Sequence, residues 1–349
     1  MKKLILTNLL SNYAMKFIGM VVALLMIPFL LSTLGKEAFG IIVLAESLVL
    51  FSEILTVSLK LSLTRYATFS LSKGLIDEFS EYLSTGRGVL FILTSVVFAI
   101  GCVIAYFFPF MVKTSGEYVG QSRLLFVLIT VGFCISIPNI VFWSVLYAKQ
   151  RYDILNLATS GTLLAKNAAI FLIFIFFPTS RTMVTYGIIY ISTTWIQNFI
   201  IYLLHKRFMP GIQIRLKNFR VEKVREILSY SVHTSIGRLS TLLYDNAAML
   251  LIGFFWGAAQ NAVYSVSLKL ASVLKRLFLE ASWTLTPTFI DLTAKGDKQR
   301  SEHLFLMYTK IMTIINTPLC FILIALAQPI IVLWVGNDFL PAVELLPVH

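Results

Sequence analysis

Long apolar stretches follow one another along this chain, each bounded by a short polar segment. Each has about 20 residues, enough to cross a hydrocarbon core of roughly 30 Å at about 1.5 Å rise per residue. They lie at residues 7–31, 41–59, 89–110, 124–147, 157–177, 183–204, 229–253, 262–286 and 311–335, and a further apolar run begins at residues 342–349. This pattern predicts an all-α fold, a polytopic transmembrane bundle.

The composition supports the same class. Hydrophobic residues make up 58% of the 349, charged residues only 13%, and the mean hydropathy is +0.83. Soluble domains carry roughly 25% charged residues. The net charge of +12 does not indicate nucleic acid, because no basic stretch is interleaved with stacking aromatics.

No motif for chemistry stands out in the chain. The four histidines have no metal-ligand spacing, and there is no phosphate-binding glycine loop, serine elbow or paired-cysteine motif. We therefore expect a protein that is not an enzyme and that needs no metal or cofactor.

The orientation follows from the loops. The N-terminus and segments 60–88, 147–156, 205–226 and 287–310 carry most of the lysine and arginine residues. The opposite set of loops holds Lys36, Lys113, Arg123 and Arg181. Since basic loops stay in the cytoplasm, the N-terminus is predicted to be cytoplasmic.

Several of the apolar spans carry charges inside the membrane, and the seventh and the first do so in a similar way. Arg238 and Asp245 lie on one stripe of the seventh span, and Lys16 follows Asn12 by four residues in the first span. A charge at this depth costs at least about 2.5–3.5 kcal/mol, so such residues usually face a bundle interior or a wet cavity.

These two spans are related by a fixed shift along the chain. A shift of 222 residues carries Lys16 onto Arg238, and the same shift aligns Leu34-Gly35 with Trp256-Gly257 and Lys73-Gly74 with Lys295-Gly296. We interpret this as an internal repeat of two parallel halves. The predicted parts are a six-helix bundle at 1–204, a basic cytoplasmic connector at 205–228 and a second bundle at 229–349. Two complete halves need about 444 residues, so we expect this sequence to be a fragment with an incomplete second bundle.

Several segments resemble a known family. They are PFLLSTLG at 28–35, KEAFGIIVLAES at 36–47, LTRYATFSLSKG at 63–74, IGFFWGAAQNAVYSVSLKLASVLK at 252–275, TPTFIDLTAKGD at 286–297 and PIIVLWVG at 329–336. They are similar to polysaccharide and O-antigen flippases of the multidrug, oligosaccharidyl-lipid and polysaccharide exporter superfamily. The motifs are loose, so they indicate the superfamily better than the substrate.

The resemblance implies two six-helix bundles arranged as a V around a cavity that opens to each side alternately. It implies a flippase of the bacterial cytoplasmic membrane that moves a polyprenyl-diphosphate-linked oligosaccharide for O-antigen, lipopolysaccharide or other surface polysaccharides. Its expected partners are this substrate, membrane lipids and the polysaccharide polymerase machinery. The diphosphate would need a cationic cavity, for which the candidates are Arg238, Lys16, Lys166, Lys269, Lys275, Arg276 and Asn12.

Simpler roles stay open for most of these residues. Arg238 suits a structural pair with Asp245, Lys16 suits snorkelling to the surface, and the cations of the eighth span suit its cytoplasmic end. Asp245, Glu46 and Glu53 are candidates for ion coupling, or they only balance nearby cations. The alternative functions are a drug/cation antiporter of the same superfamily and a membrane glycosyltransferase or polysaccharide polymerase.

Overall fold

The computed structural model describes residues 2–112, 116–212, 214–294 and 297–348. Within these ranges, side chains are described except at positions 2–16, 55, 216, 233, 234, 236, 238, 241, 242, 244, 245, 276, 277, 279–294 and 348.

The described chain is a series of long helices. They are α1 (Lys2–Leu34), α2 (Lys36–Ser72), α3 (Ile76–Met111), α4 (Val119–Ala148), α5 (Tyr152–Phe176), α6 (Met183–Phe208), α7 (Val221–Trp256), α8 (Ala258–Ala294), α9 (Lys298–Ala325), α10 (Ala327–Val335) and α11 (Pro341–Leu345). Seven segments within the described residues, in α1 to α6 and α9, are long and apolar enough to cross a membrane. The predicted all-α, multi-pass membrane architecture is confirmed.

The predicted polar loops at 60–88 and 287–310 are wrong. Helix α2 continues to Ser72 and α3 begins at Ile76, while α8 continues to Ala294 and α9 begins at Lys298. The polar residues of the first segment lie on helices that extend past the membrane and still have packing partners. The Ser62 hydroxyl, for example, donates to the Ile227 carbonyl at 2.8 Å. Because this packing continues, the helices do not end where the apolar residues end.

Two pairs of long helices are joined by a single glycine. Gly35 alone separates α1 from α2, and Gly257 alone separates α7 from α8. Their φ angles of 83° and 88° are ones that side chains other than glycine rarely adopt. Glycine at these two positions therefore lets one long helix follow another after a single residue.

Helix boundaries coincide at the spacing of the predicted repeat. A shift of 222 residues carries α2 at both ends onto α8, and the start of α3 onto the start of α9. The same shift carries the end of α1 onto the end of α7, and the start of α4 onto the start of α11. These coincidences support the repeat, which rested on sequence identities alone.

The chain forms two compact units, residues 1–261 and 262–349. In the first unit, α2 packs against α3, α4 and α7, α4 packs against α6, and α1 packs against α5. Phe79, Phe108, Phe126 and Phe174 are fully buried there. The second unit contains the rest of α8 with α9 to α11.

Helices α2 and α7 run antiparallel at close range. A Cβ added to Gly253 of α7 would overlap the Leu44 side chain of α2, and one added to Gly40 of α2 would overlap the carbonyl oxygen of Ala258, the first residue of α8. One turn further along the same contact, the Ser47 hydroxyl lies 2.8 Å from the Met249 sulfur. The absence of a side chain at Gly40 thus allows the backbones to meet.

This contact predicts the effect of a single methyl group. Gly40→Ala should lower the stability of the protein by about 1–3 kcal/mol, because backbone rather than a flexible side chain occupies the space. Gly161→Ala is the matched control, since nothing lies within 4 Å of its added Cβ. Thermal unfolding in detergent should show a lower midpoint for the first variant only; equal midpoints would contradict the close contact.

Candidate functional site

Three helices bring charged and aromatic side chains together inside the first unit. Glu46 of α2 accepts a hydrogen bond from the Tyr186 hydroxyl of α6 at 2.6 Å, and Tyr186 is only 5% exposed. The Lys166 ammonium of α5 lies 5.7 Å from the Tyr186 ring centroid and 5.5 Å from that of Tyr190. These distances allow cation–π attraction.

A second cation lies further along α2. The Lys60 ammonium lies 3.4 Å from the centroid of the Trp143 ring on α4. Glu53 follows Glu46 by two helical turns, and its charge acts on both Lys60 and Tyr190. Lys60 and Lys166 are both half-buried, and both rest on aromatic rings.

These side chains form one series, which we call the polar track. Its members are Glu46, Glu53, Lys60, Trp143, Lys166, Tyr186 and Tyr190. Glu46 lies ten residues after the start of α2, and Lys166 lies ten residues before the end of α5, about 15 Å from each helix end. Lys60 is fourteen residues beyond Glu46, roughly 21 Å along the helix. The polar track therefore extends over most of the thickness of a roughly 30 Å hydrocarbon core.

Ion pairs link helices at the end of the first unit that contains Lys60. Arg220 Nε lies 3.0 Å from Glu81 Oε1, and Lys223 Nζ lies 3.3 Å from Glu78 Oε1 and 3.7 Å from Glu81 Oε2. The Lys223 side chain is only 13% exposed and lies over the Tyr82 ring at 3.8 Å. Basic residues at the start of α7 are thus paired with acidic residues at the start of α3. The predicted loop at 60–88 did not anticipate this contact between helices.

The structure places three predicted site residues in the polar track: Lys166, Glu46 and Glu53. Lys269 is half-buried and Lys275 is exposed, both on the part of α8 that belongs to the second unit. The side chains of Lys16, Asn12, Arg238, Asp245 and Arg276 lie outside the described ones, so their predicted roles stay predictions.

The backbone nevertheless shows which part of α2 lies opposite Arg238 of α7. The Ser231 hydroxyl of α7 lies 3.4 Å from the Ser58 carbonyl of α2, and Met249 meets Ser47. Arg238 lies between these two contacts along α7. Its position is therefore level with the segment of α2 that carries Glu53.

Sequence reasoning missed the aromatic members of the polar track. In the sequence these residues look like ordinary members of apolar spans; they are Trp143, Tyr186 and Tyr190. Their contacts with charged side chains become visible only in the packing between helices. The sequence does show that Glu46, Glu53 and Lys60 are seven residues apart and share one helix face. Lys60 was nevertheless not among the predicted cavity cations, because it lies at the end of the second apolar span.

A separate cavity of about 340 Å³ lies in the second unit. Its lining comes mainly from one side of α9 and includes Tyr308, Thr309, Thr313 and Asn316. Of the predicted site residues whose side chains the structure describes, none lines it. In the described part of the chain, no three His, Cys, Asp or Glu side chains converge as metal ligands.

Comparison with known proteins agrees with this architecture. Residues 5–293 match the family described as polysaccharide biosynthesis protein. The chain is 18% identical over 342 residues to EpsK of Bacillus subtilis (strain 168), an uncharacterized membrane protein, covering 98% of this chain and 67% of EpsK.

Solved structures of transporters share the fold. An inward-facing multidrug resistance MATE family transporter of the MOP superfamily aligns with a TM-score of 0.74 at 15% identity, over 94% of this chain and 75% of that one. An outward-facing one aligns with a TM-score of 0.64 at 15% identity, over 98% and 74%. The family resemblance predicted from the sequence is confirmed: the chain belongs to the polysaccharide biosynthesis protein family and has the MATE-like fold of the MOP superfamily.

Proposed function

We propose that this protein is a flippase that moves polyprenyl-diphosphate-linked oligosaccharide across the bacterial cytoplasmic membrane by alternating access. The observation that carries the proposal is Lys166. It is half-buried within the unit, it lies over two tyrosine rings, and no described carboxylate forms an ion pair with it. Such an ammonium is available to an anionic headgroup, for which it offers three hydrogen-bond donors.

The family and the fold support the same function. The matched family is named for polysaccharide biosynthesis, and the fold is shared with transporters solved in both inward-facing and outward-facing conformations. Arg238 is level with the polar track and would supply a planar fork that suits phosphate. Lys16 would be its repeat-related counterpart, with Asn12 beside it and Lys269, Lys275 and Arg276 from the second half.

A drug/cation antiporter is the second candidate. Glu46 and Glu53 are carboxylates inside the membrane, and carboxylates are what a cationic drug would need. The presence of Lys60 and Lys166 in the same polar track favours an anionic substrate instead. Export of a glycan and resistance to cationic drugs, measured in the same cells, distinguish the two functions.

Substitution of the cavity cations tests the flippase. We expect Arg238→Ala to abolish glycan export and Arg238→Lys to restore it only in part, because the two parallel hydrogen bonds to phosphate are lost. Lys166→Met should lower the export rate about tenfold. Lys149→Met is the control, since Lys149 is exposed at a turn. Full complementation by normally expressed Arg238→Ala and Lys166→Met would rule out the phosphate-binding role.

The carboxylates of the polar track are proposed to couple transport to an ion. Glu46→Gln keeps an acceptor for the Tyr186 hydroxyl but cannot change its charge. Transport in liposomes by this variant should therefore lose its dependence on a proton or sodium gradient, while the protein folds normally. If the native protein ignores both gradients, Glu46, Glu53 and Asp245 act only as charge balancers.

We also propose that the N-terminus is cytoplasmic. Reporters fused after Lys73, Arg151 or Arg220 should then read as cytoplasmic, because these positions follow basic segments. Reporters after Lys36, Thr179 or Ala259 should read as external. A cytoplasmic signal at Ala259 would contradict both the orientation and the parallel repeat.

A further inference from the structure

Lys60 has an unusual environment for a lysine at the end of a membrane span. Its ammonium lies directly over the Trp143 ring at 3.4 Å, within the first unit. Trp143 is stacked in turn on Tyr147 at 4.9 Å, and Tyr147 meets Tyr152 at 4.6 Å. The lysine thus rests on an aromatic series built from α4 and the start of α5.

No described carboxylate neutralises this lysine by contact. Glu53 is the carboxylate whose charge acts on it, but the described side chains form no ion pair with Lys60. Lys223 behaves differently, since two carboxylates lie within 3.7 Å of its ammonium. A half-buried ammonium that is held by a ring face keeps its hydrogen-bond donors available.

Snorkelling to the membrane surface does not explain this position. A lysine that snorkels extends its ammonium into water, as the exposed Lys73 does at the end of the same helix. Lys60 instead remains half-buried against α4. In the orientation proposed above, with a cytoplasmic N-terminus, Lys60 lies at the cytoplasmic end of the polar track, at the depth of lipid headgroups in the inner leaflet.

We infer that Lys60, presented by Trp143, binds the diphosphate of the substrate on its entry from the cytoplasmic leaflet. This inference rests on the proposed flippase function. It adds a binding site at Lys60 where the substrate enters, which we call the entry station. A hydrogen bond between an ammonium and a phosphate oxygen is charge-assisted and stronger than the contact with a ring. The ammonium can therefore pass from Trp143 to the diphosphate without first breaking an ion pair. Lys166, further along the polar track, is the next cation that the headgroup would meet.

Binding to the purified protein tests this station. The protein is placed in phosphatidylcholine nanodiscs, and a long-chain polyprenyl diphosphate is titrated in, with polyprenyl monophosphate, polyprenyl alcohol and phosphatidylglycerol as comparison lipids. We expect Lys60→Met to weaken diphosphate binding about tenfold and to reduce the preference for diphosphate over monophosphate. Lys60→Arg should bind within about threefold of the native protein, because it keeps the charge.

Lys73→Met is the matched control. It removes the same charge from the same helix, and Lys73 also lies over a ring, that of Phe69 at 4.2 Å, but it is exposed. Its affinity for the diphosphate should equal that of the native protein. If Lys60→Met does not yield folded protein by thermal unfolding, Lys60→Gln provides the same loss of charge with a polar side chain.

The possible outcomes distinguish a failure of the entry station from a failure of the proposed flippase function. Native-like binding by a folded neutral Lys60 variant, together with weaker binding by Lys166→Met, overturns the entry station and leaves the flippase standing. Equal affinity of the native protein for phosphatidylglycerol shows a general lipid contact and also overturns the station. If the native protein binds polyprenyl diphosphate no better than polyprenyl alcohol, the proposed function itself fails.

Discussion

The cost of placing charge in hydrocarbon decides most of what this chain can do. Every ionised group at membrane depth needs either a partner or water, because an isolated charge there costs at least a few kcal/mol. The first unit meets this requirement in two ways. Glu46 is bonded to a tyrosine hydroxyl, whereas Lys60 and Lys166 lie over aromatic faces. The polar track follows from this constraint, since Glu46, Lys60 and Lys166 each lie beside a side chain that lowers the cost of the charge.

Packing of α2 provides the frame for these side chains. One face of α2 meets α7 and the first residue of α8 so closely that Gly40 and Gly253 cannot carry larger side chains without displacement. Another part of the helix carries Glu46, Glu53 and Lys60 toward α4 and α6. Gly35 alone joins α1 to α2. No flexible loop therefore lies between the two helices that could allow α2 to move independently of α1. A change in the contact between α2 and α7 would therefore move the polar track with it.

The sequence predicted the fold well because hydrophobic length is a strong signal. The all-α class, the multi-pass membrane architecture and the family were all readable from the apolar spans and the short segments between them. The loops at 60–88 and 287–310 were predicted wrongly, because polarity marks the end of the membrane and not the end of a helix. Of the site, Lys166, Glu46 and Glu53 were identified as buried charges. Trp143, Tyr186 and Tyr190 were not, since periodicity within one helix does not show which helix will lie opposite.

The use of rings rather than carboxylates beside the track lysines has a functional consequence. A transporter must bind its substrate and then release it, so each station has to exchange partners at low cost. An ammonium in a buried ion pair would have to leave a carboxylate behind, and an unpaired buried charge is strongly destabilising. An ammonium that leaves a tryptophan or tyrosine ring leaves behind only a neutral side chain. The arrangement of Lys60 on Trp143 and Lys166 on Tyr186 and Tyr190 therefore suits reversible contact with a moving anion. The ion pairs of Lys223 with Glu78 and Glu81 suit a fixed contact between helices.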